Sequence, residues 1–496
     1  MRRSLLGMII ILLVFALLLF TQNLYLTNAF SSKSYVNAYV SDEIYYVTSS
    51  RYVLYKVFNV NELKISPSNN DRYYTIVLGN YLNLSAFKFI RDKCDCFDII
   101  DNNYRGSIPA TITISKESTL ITRTVFVGNN INAVYIKVHE NCSIKRIIEV
   151  FEEYNYTIID VVPGWALPDT KYYAGFNLEH PPLGKYIIMV FILLLGDNPF
   201  TWRVPSIVAD LITMVFSYLI TKSILETLIN KKKAEYIALL TPLIMLCDNI
   251  YYTIGVLAML DPFLSMFTVI GVYIFINTNY RNFYQNILKT ITFGLAGLIK
   301  YSGLFIALAD IIEGFMVGKG FIERLRLGFS ALLRYYIIYP SMLIVSSLPF
   351  IIYLGFYNWF KMAIIDAIRW HLSTKTPPGA GPVSSSPFDW LIGVNSFILW
   401  TDPVTGKNIT CTGLWYVYLS SMILALIILP LYFRQTKIRR LFLASFSIWF
   451  MYLLLYLLGN KSLYSFYIIH FVPLLEIQLI VIISILLLRV KKIYNK

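Results

Sequence analysis

Long apolar segments separated by short basic clusters constrain this chain more than any other feature of its sequence. The chain has 496 residues, of which 57% are hydrophobic and only 15% are charged. Soluble domains are usually about 45–50% apolar and about 25% charged, so the composition predicts a protein with several membrane helices. The net charge of +14 would also suit a nucleic-acid-binding protein. However, the Lys and Arg residues lie mostly at the ends of apolar segments, which is typical of membrane proteins, and nucleic acid is not predicted as a partner.

The basic clusters predict the orientation of the chain in the lipid bilayer. Two Arg residues precede an apolar segment at 5–20, and no cleavage site follows it closely, so we interpret it as a first membrane helix with its N-terminus inside. The later basic clusters then also fall inside, and the fold class is a polytopic α-helical membrane protein with about 10–11 transmembrane helices. Further spans are predicted near 204–224, 234–254, 262–278, 286–299, 301–317, 335–357, 414–433, 441–458 and 466–488.

A shorter apolar segment, 186–196, lies between two groups of prolines and charges. About 20 apolar residues are needed to cross a bilayer as a helix, so this segment is too short. If it did cross, the basic cluster at 230–233 would fall outside. We therefore expect an interfacial helix on the outer surface.

The segment between the first span and this interfacial helix has the pattern of a small soluble domain. Alternating strand-like segments surround two helix-like ones, 85–93 and 143–154, and the arrangement resembles a ferredoxin-like α/β domain. A disulfide from the Cys94-x-Cys96 pair to Cys142 is favoured over a metal site, because no His-rich segment is nearby.

The expected regions of the whole chain are 1–60 with the first helix and an acidic motif, 61–163 as the extracytoplasmic α/β insertion, 164–357 as the catalytic membrane region, 358–413 as an outer loop, and 414–496 as the C-terminal membrane helices.

Several charged residues lie at the predicted outer ends of the apolar segments. Ionisable groups at membrane depth are energetically costly, so they are candidates for function. Each also has a structural explanation, since an acidic residue can begin a helix and a Lys side chain can extend to the lipid headgroups. Their collection on one side of the bilayer favours a functional site there. The candidates are Asp42, Glu43, Glu179, His180, Lys185, Arg203, Asp261 and Lys300.

The order of these residues resembles the protein O-mannosyltransferases, which use dolichyl phosphate mannose and belong to the GT-C glycosyltransferases. HPPLGK at 180–185 matches a hallmark of that family, and Asp42-Glu43 matches its first acidic pair. NPFTWRVPS places the family's functional arginine at Arg203. AMLDPFL places the second acidic motif at Asp261 and is also similar to the bacterial aminoarabinose transferases of lipid A. GLAGLIKYSGLF places the family's lysine at Lys300.

The resemblance implies a donor of the polyprenyl or dolichyl phosphate sugar class, carrying mannose or another hexose. The leaving lipid phosphate needs cations, and we expect Lys185, Arg203 and Lys300 to bind it. Glu179 and His180 are expected to bind substrate. Family members often have an Arg at the position of Val256, and their link before HPPLGK is usually shorter. Because of these departures, the resemblance does not determine the identity of the acceptor.

The acceptor hydroxyl needs a general base, and the family position assigns that role to Asp42. Glu43 and Asp261 are the other expected catalytic residues, in an inverting transfer without a covalent intermediate. Asp42 and Asp261 also permit a divalent metal ion, although nothing in the sequence requires one, and no other cofactor is expected.

Several alternatives remain at this point. The acceptor is expected to be protein Ser or Thr, with a lipid or cell-wall glycan as the second interpretation. A transporter is a further class, but the charges lie on one face and no inverted repeat is evident. A receptor would not require the acidic and basic motifs together. The site is expected on the extracytoplasmic side of the plasma membrane or of the endoplasmic reticulum membrane, and the sequence does not indicate an oligomeric state.

Overall fold

The structure is a computed structural model in which most of the helices pack around one large apolar core, and a smaller sheet domain has a core of its own. It describes residues 2–30, 39–66, 69–79, 84–105, 110–116, 119–125, 132–164, 174–373, 383–402 and 404–494.

The first helix is followed by a short buried helix that carries the acidic motif. Helix α1 (Arg2–Phe30) is long and apolar enough to cross a membrane, as predicted. Helix α2 (Glu43–Tyr52) is only 10 residues long and continues as one π-helical turn, Val53–Val57. Most of α2 is buried although its sequence is polar, because it packs against the helix that follows the sheet domain. The short α2 therefore forms part of the protein interior.

The sheet domain follows, and its strand order is that of a ferredoxin-like arrangement. One antiparallel sheet has the strand order β7-β2-β6-β3, with β1 paired to the end of β2, while β4 and β5 form a separate hairpin. Without that hairpin, the order along the chain from β2 is β-α-β-β-α-β. Cys96 forms a disulfide with Cys142, and Ser143 caps the second helix by accepting the Arg146 N–H. The elements are β1 (Lys64–Ser66), β2 (Asn69–Leu78), α3 (Leu84–Cys94), β3 (Phe97–Arg105), β4 (Ala110–Lys116), β5 (Thr119–Val125), β6 (Asn132–Val138), α4 (Ile144–Glu153) and β7 (Ile158–Pro163).

The helical region after the sheet domain contains long spans and broken ones. Among the described residues, five helices are long and apolar enough to cross a membrane, or six if the bent pair Leu348–Leu354 and Phe356–Leu372 counts as one span. The helices are α5 (Leu183–Leu195), α6 (Pro199–Leu225), α7 (Lys231–Ala238), α8 (Leu240–Cys247), α9 (Asn249–Thr253), α10 (Asp261–Asn277), α11 (Phe283–Ile299), α12 (Ala307–Val317), α13 (Phe321–Ser346), α14 (Leu348–Leu354), α15 (Phe356–Phe360), α16 (Ala367–Ser373), α17 (Pro387–Ile392), α18 (Trp415–Tyr432), α19 (Thr436–Leu457) and α20 (Val472–Tyr494), with strands β8 (Ile398–Thr401) and β9 (Asn408–Thr410) before α18.

Some of the predicted spans are divided within the described residues, and the reason is local. The predicted span at 234–254 divides into α7, α8 and α9, and Asp248 ends α8 and caps α9 by accepting the Ile250 N–H at 3.0 Å. Helix α14 ends at Gly355, whose φ of 80° is accessible to glycine, and the chain bends by 120° there. Polar and glycine breaks thus divide segments that hydropathy alone treats as continuous. Helix α5, in contrast, has 13 residues and is as short as predicted.

Candidate active site

A buried ion pair between Glu43 and Arg203 forms the base of the region that contains the acidic motif. Arg203 donates from Nε and Nη2 to the two Glu43 carboxylate oxygens, each at 2.7 Å. The same oxygens accept the backbone N–H groups of Val40 and Ala258, both at 2.8 Å. Both charged side chains are fully buried. These bonds connect the start of α2, the first turns of α6 and the loop before α10, and they use about all the acceptor positions of one carboxylate.

The Lys185 side chain is fully buried at the first turn of α5. Its ammonium lies inside the preceding loop and donates to the carbonyls of Phe176, Asn177 and His180. The distances to Phe176 and His180 are 3.0 and 2.9 Å. An ammonium has three N–H donors, so this loop accounts for all of them. Lys185 therefore holds the His-Pro-Pro segment against the first turn of α5.

Of the three cations predicted at the donor phosphate, Lys300 is the one that pairs with Asp261. Arg203 is bound by Glu43, and Lys185 is bound by carbonyl groups. The Lys300 Nζ lies 2.9 and 2.8 Å from the two carboxylate oxygens of Asp261. Asp261 is the first residue of α10, and Lys300 directly follows the last residue of α11, so two antiparallel neighbouring helices bring the pair together.

Asp42 lies beside this pair and immediately precedes α2. Within the described parts of the chain, its carboxylate has no hydrogen-bond partner, and its side chain is partly accessible. Burial is the main cause of the shift in the Asp42 pKa, which is raised from 3.8 to about 6. The Lys300 ammonium opposes this rise, and the Asp261 carboxylate adds to it. Asp42 and Glu43 are adjacent in sequence, but only Asp42 presents a free carboxylate.

The remaining predicted residues, His180 and Glu179, lie close to this carboxylate group. The His180 ring centroid is 5.9 Å from that of Tyr46 and 5.9 Å from that of His371. Its Nδ1 is buried and has no hydrogen-bond partner among the described residues. Burial, assisted by Lys300 and His371, holds the pKa of His180 well below its usual value, so the ring is neutral. Glu179 accepts a hydrogen bond from the Asn177 amide.

A second buried ion pair, which no sequence pattern indicated, supports this region. Arg51 donates from Nε and Nη2 to the Asp197 carboxylate at 2.8 and 2.7 Å, and the Trp202 Nε1 donates to the same carboxylate at 2.7 Å. Tyr39 stacks on the Trp202 ring at 4.8 Å. The only local signal was the Gly-Asp-Asn-Pro turn before α6. Its partner, Arg51, lies 146 residues away in the chain, and no motif around Arg51 indicates the ion pair.

The residues present do not form a metal site. Among the described residues, no group of three or more His, Cys, Asp and Glu side chains is arranged to hold a metal ion. The Asp261 carboxylate, one of the two predicted ligands, is already paired with an ammonium. We therefore derive no chemical step through a metal.

Comparison with known proteins agrees with the motifs. Residues 171–366 match the family described as dolichyl-phosphate-mannose-protein mannosyltransferase. This confirms the predicted resemblance for the region that contains His180, Arg203, Asp261 and Lys300, whereas Asp42 lies outside it. None of the curated proteins matches the chain.

Solved structures of two membrane glycosyltransferases are similar at low identity. ArnT from Cupriavidus metallidurans bound to undecaprenyl phosphate is 16% identical, with a TM-score of 0.40, over 62% of this chain and 50% of that one. The Archaeoglobus fulgidus oligosaccharyltransferase in its apo form is 10% identical, with a TM-score of 0.43, over 96% of this chain and 50% of that one. AglB from the same organism, in complex with an inhibitory peptide and a dolichol-phosphate, is 11% identical with a TM-score of 0.41 over the same shares. The chain thus spans about half the length of each.

Proposed function

We propose that this protein is a membrane glycosyltransferase that moves a sugar from a polyprenyl or dolichyl phosphate to an acceptor hydroxyl at the outer membrane surface. The observation that carries the proposal is the free carboxylate of Asp42 beside the Asp261–Lys300 pair. A base and a cation are the two groups that this reaction needs from the protein. The family match over residues 171–366 supports the same donor class.

The reaction assigned to Asp42 is removal of the acceptor proton. As the hydroxyl oxygen forms a bond to the anomeric carbon, its proton passes to the Asp42 carboxylate. The bond between that carbon and the phosphate oxygen breaks, and its electron pair leaves with the lipid phosphate. Attack from the face opposite the phosphate inverts the anomeric centre. A carboxyl pKa of about 6 makes Asp42 a stronger base than an exposed carboxylate while it is still ionised at neutral pH.

Lys300 is assigned to the leaving phosphate. Its ammonium has three N–H donors and uses two of them on the Asp261 carboxylate, which leaves one for a phosphate oxygen. Asp261 thereby positions the ammonium. A fixed cation stabilises the negative charge that develops on the phosphate, and it does so more strongly where water is excluded. The largely buried position of Lys300 suits that role.

Glu43, Arg203 and Lys185 are assigned positioning roles in place of the roles that the sequence suggests. The first two fix the backbone at Val40 and Ala258, just before Asp42 and just before Asp261 respectively. Lys185 fixes the loop that carries His180. The neutral His180 ring, whose Nδ1 is unpaired, is proposed to contact a hydroxyl of the sugar or the acceptor.

Within this class, we propose mannose as the sugar and a protein as the acceptor, because the description of the matched family names both; Ser or Thr is proposed as the acceptor residue from the resemblance of the motifs. Transfer to a lipid or cell-wall glycan is the second candidate. It is favoured by the second acidic motif, whose sequence also resembles the aminoarabinose transferases of lipid A.

A direct assay separates these possibilities. Purified protein is incubated with mannosyl, glucosyl or aminoarabinosyl polyprenyl phosphate and with a Ser/Thr-rich peptide, and mass spectrometry measures both the released lipid phosphate and the modified peptide. The same peptide with Ala at every Ser and Thr is the control. Modified peptide from the mannosyl donor supports the full proposal. Lipid phosphate released only when a lipid or glycan acceptor is supplied supports the second candidate, and no release with any donor and acceptor contradicts the class.

A further inference from the structure

A cavity of about 440 Å³ opens at the end of the helix bundle opposite Asp261 and Lys300. Helix α10 begins at Asp261 and α11 ends one residue before Lys300, and each has 17 residues. The turn that joins them at 278–282 is therefore a helix length, about 25 Å, from the candidate active site. The cavity lies at this turn and at the start of α19. Its polar wall includes Thr278, Tyr280, Thr436, Lys437, Arg439 and Arg440.

The cations of this wall outnumber the carboxylates that they contact. Arg439 and Arg440 share one carboxylate, that of Glu313, at 2.7 to 2.9 Å. Lys437 is held by neutral oxygens only, the hydroxyl and carbonyl oxygens of Ser223 at 2.7 and 3.2 Å and the amide of Asn277 at 2.8 Å. The three cations thus have one carboxylate in direct contact, and only the two Arg residues bind it. The wall carries a positive excess that an anion would neutralise.

Hydrogen-bond donors of a second kind face the same cavity. Helix α19 begins at Thr436, and its cap residue, Gln435, provides no side-chain hydrogen bond. The first N–H groups of this 22-residue helix are therefore not satisfied by a cap, and the helix dipole favours a negative charge near them. The Arg440 guanidinium lies 4.9 Å from the centre of the Tyr280 ring, and the Lys289 ammonium lies 3.9 Å from the same centre. Tyr280 is thus fixed between two cations at the cavity wall.

Apolar surface borders the cavity on its membrane side. Met316 and Val317 line it at the end of α12, and the next helix begins with two highly exposed residues, Phe321 and Ile322. A volume of about 440 Å³ is within the usual range of ligand sites and exceeds the need of a single small anion. A cationic pocket beside apolar surface at the end of membrane helices suits a lipid headgroup with its acyl chains alongside.

We propose that this cavity binds a phosphate-bearing anion, supplied by an anionic phospholipid of the leaflet opposite the active site. The phosphate would replace the Ser223 carbonyl, the most distant of the three Lys437 partners at 3.2 Å, and would contact the first turn of α19. The acyl chains would lie along Met316 and the exposed start of α13. A soluble phosphate ester offers the same chemistry without the chains. The proposal does not depend on the glycosyltransferase assignment, because it concerns residues at the other end of the bundle.

The test uses the full chain in nanodiscs of phosphatidylcholine, with and without phosphatidylglycerol, and separately with glycerol phosphate in solution. Native mass spectrometry measures the retained lipid, and the melting temperature measures its stabilising effect. Lys437→Gln removes the cavity cation, Lys437→Arg restores it, and Arg434→Gln removes an exposed cation of the same segment that does not line the cavity. Thr436→Trp fills the cavity without removing an ion pair.

We expect phosphatidylglycerol to bind and stabilise the wild type, Lys437→Arg and Arg434→Gln. Lys437→Gln should weaken that binding about ten- to a hundredfold, as for a lost charge-assisted hydrogen bond, and Thr436→Trp should block it. Binding of glycerol phosphate with the same variant pattern, but not of phosphatidylglycerol, would assign the phosphate to a soluble ligand. Equal binding of phosphatidylcholine, an equal loss in Arg434→Gln, or wild-type binding by both cavity variants would overturn the proposal.

Discussion

The Lys300 ammonium contacts both carboxylate oxygens of Asp261, at 2.9 and 2.8 Å, across the ends of two neighbouring helices. Asp42, the third charged group beside them, forms no hydrogen bond with the described residues through its carboxylate. A paired cation next to a free carboxylate provides a leaving-group site and a base in one place. The roles assigned to these three residues make separate predictions.

Removal of the Lys300 ammonium should weaken the enzyme's hold on the lipid phosphate. Lys300→Ala should lower donor affinity and turnover about ten- to a hundredfold, because a charge-assisted hydrogen bond to an anion contributes about 1.5–3 kcal/mol. Lys461→Ala is the matched control, since that ammonium lies against the Tyr456 ring and carbonyl instead. Binding of radiolabelled donor to both variants provides the measurement. Wild-type affinity in Lys300→Ala would remove Lys300 from the phosphate site.

The rate of transfer should depend on pH through Asp42. Its pKa of about 6 means that the base is ionised above that pH and protonated below it. Transfer under single-turnover conditions should therefore be constant above about pH 7 and fall about tenfold for each pH unit well below 6. A profile that remains flat down to about pH 4 would show that the base is a carboxylate with an ordinary pKa.

The Glu43–Arg203 pair should matter to folding more than to donor contact. Arg203→Met would leave a buried carboxylate without its cation, and loss of one partner of a buried pair destabilises proteins by about 3–5 kcal/mol. The variant should melt at a much lower temperature, and replacement of both residues by Leu and Met should recover part of the loss. Glu149→Gln, in an exposed pair with Arg146, is the control and should change little. A stable Arg203→Met variant that has lost donor binding would support the phosphate role instead.

The disulfide of the sheet domain should stabilise that domain without affecting the chemical step. Cys96→Ser breaks a bridge between residues 46 positions apart and should destabilise the domain by about 2–4 kcal/mol. Cys94→Ser, which removes the neighbouring free thiol, should have little effect. Limited proteolysis measures the stability, and transfer at low temperature should be equal in both variants. A large loss of transfer in Cys96→Ser alone, with the domain intact, would give the domain a part in catalysis.

The sequence predicted the elements that depend on local pattern. The ferredoxin-like order follows from alternating strands and two helical segments. The short α5 follows from the length of its apolar segment. These features are set by residues close together in the chain, so periodicity and composition are enough to find them.

The sequence could not separate residues whose roles depend on distant partners. Asp42 and Glu43 are adjacent carboxylates, and only the position of Arg203, 160 residues from Glu43, decides which one is neutralised. Lys185 has the charge expected of a phosphate ligand, but the fold of the preceding loop directs three carbonyl groups at it. Lys300 differs because its partner, Asp261, leaves one N–H donor available. Average hydropathy likewise does not indicate that the helix is interrupted at Asp248.

The general base provides the most direct test of the proposed function. Asp42→Asn keeps the size of the side chain but removes its capacity to accept a proton, and general-base catalysis contributes about 10²–10⁴-fold. Single-turnover sugar transfer with saturating donor should therefore fall by that factor in Asp42→Asn, with donor binding retained, and should be unchanged in the control Asp366→Asn, whose carboxylate is exposed. If Asp42→Asn transfers sugar at the wild-type rate, Asp42 is not the base, and the reaction assigned to this site is contradicted.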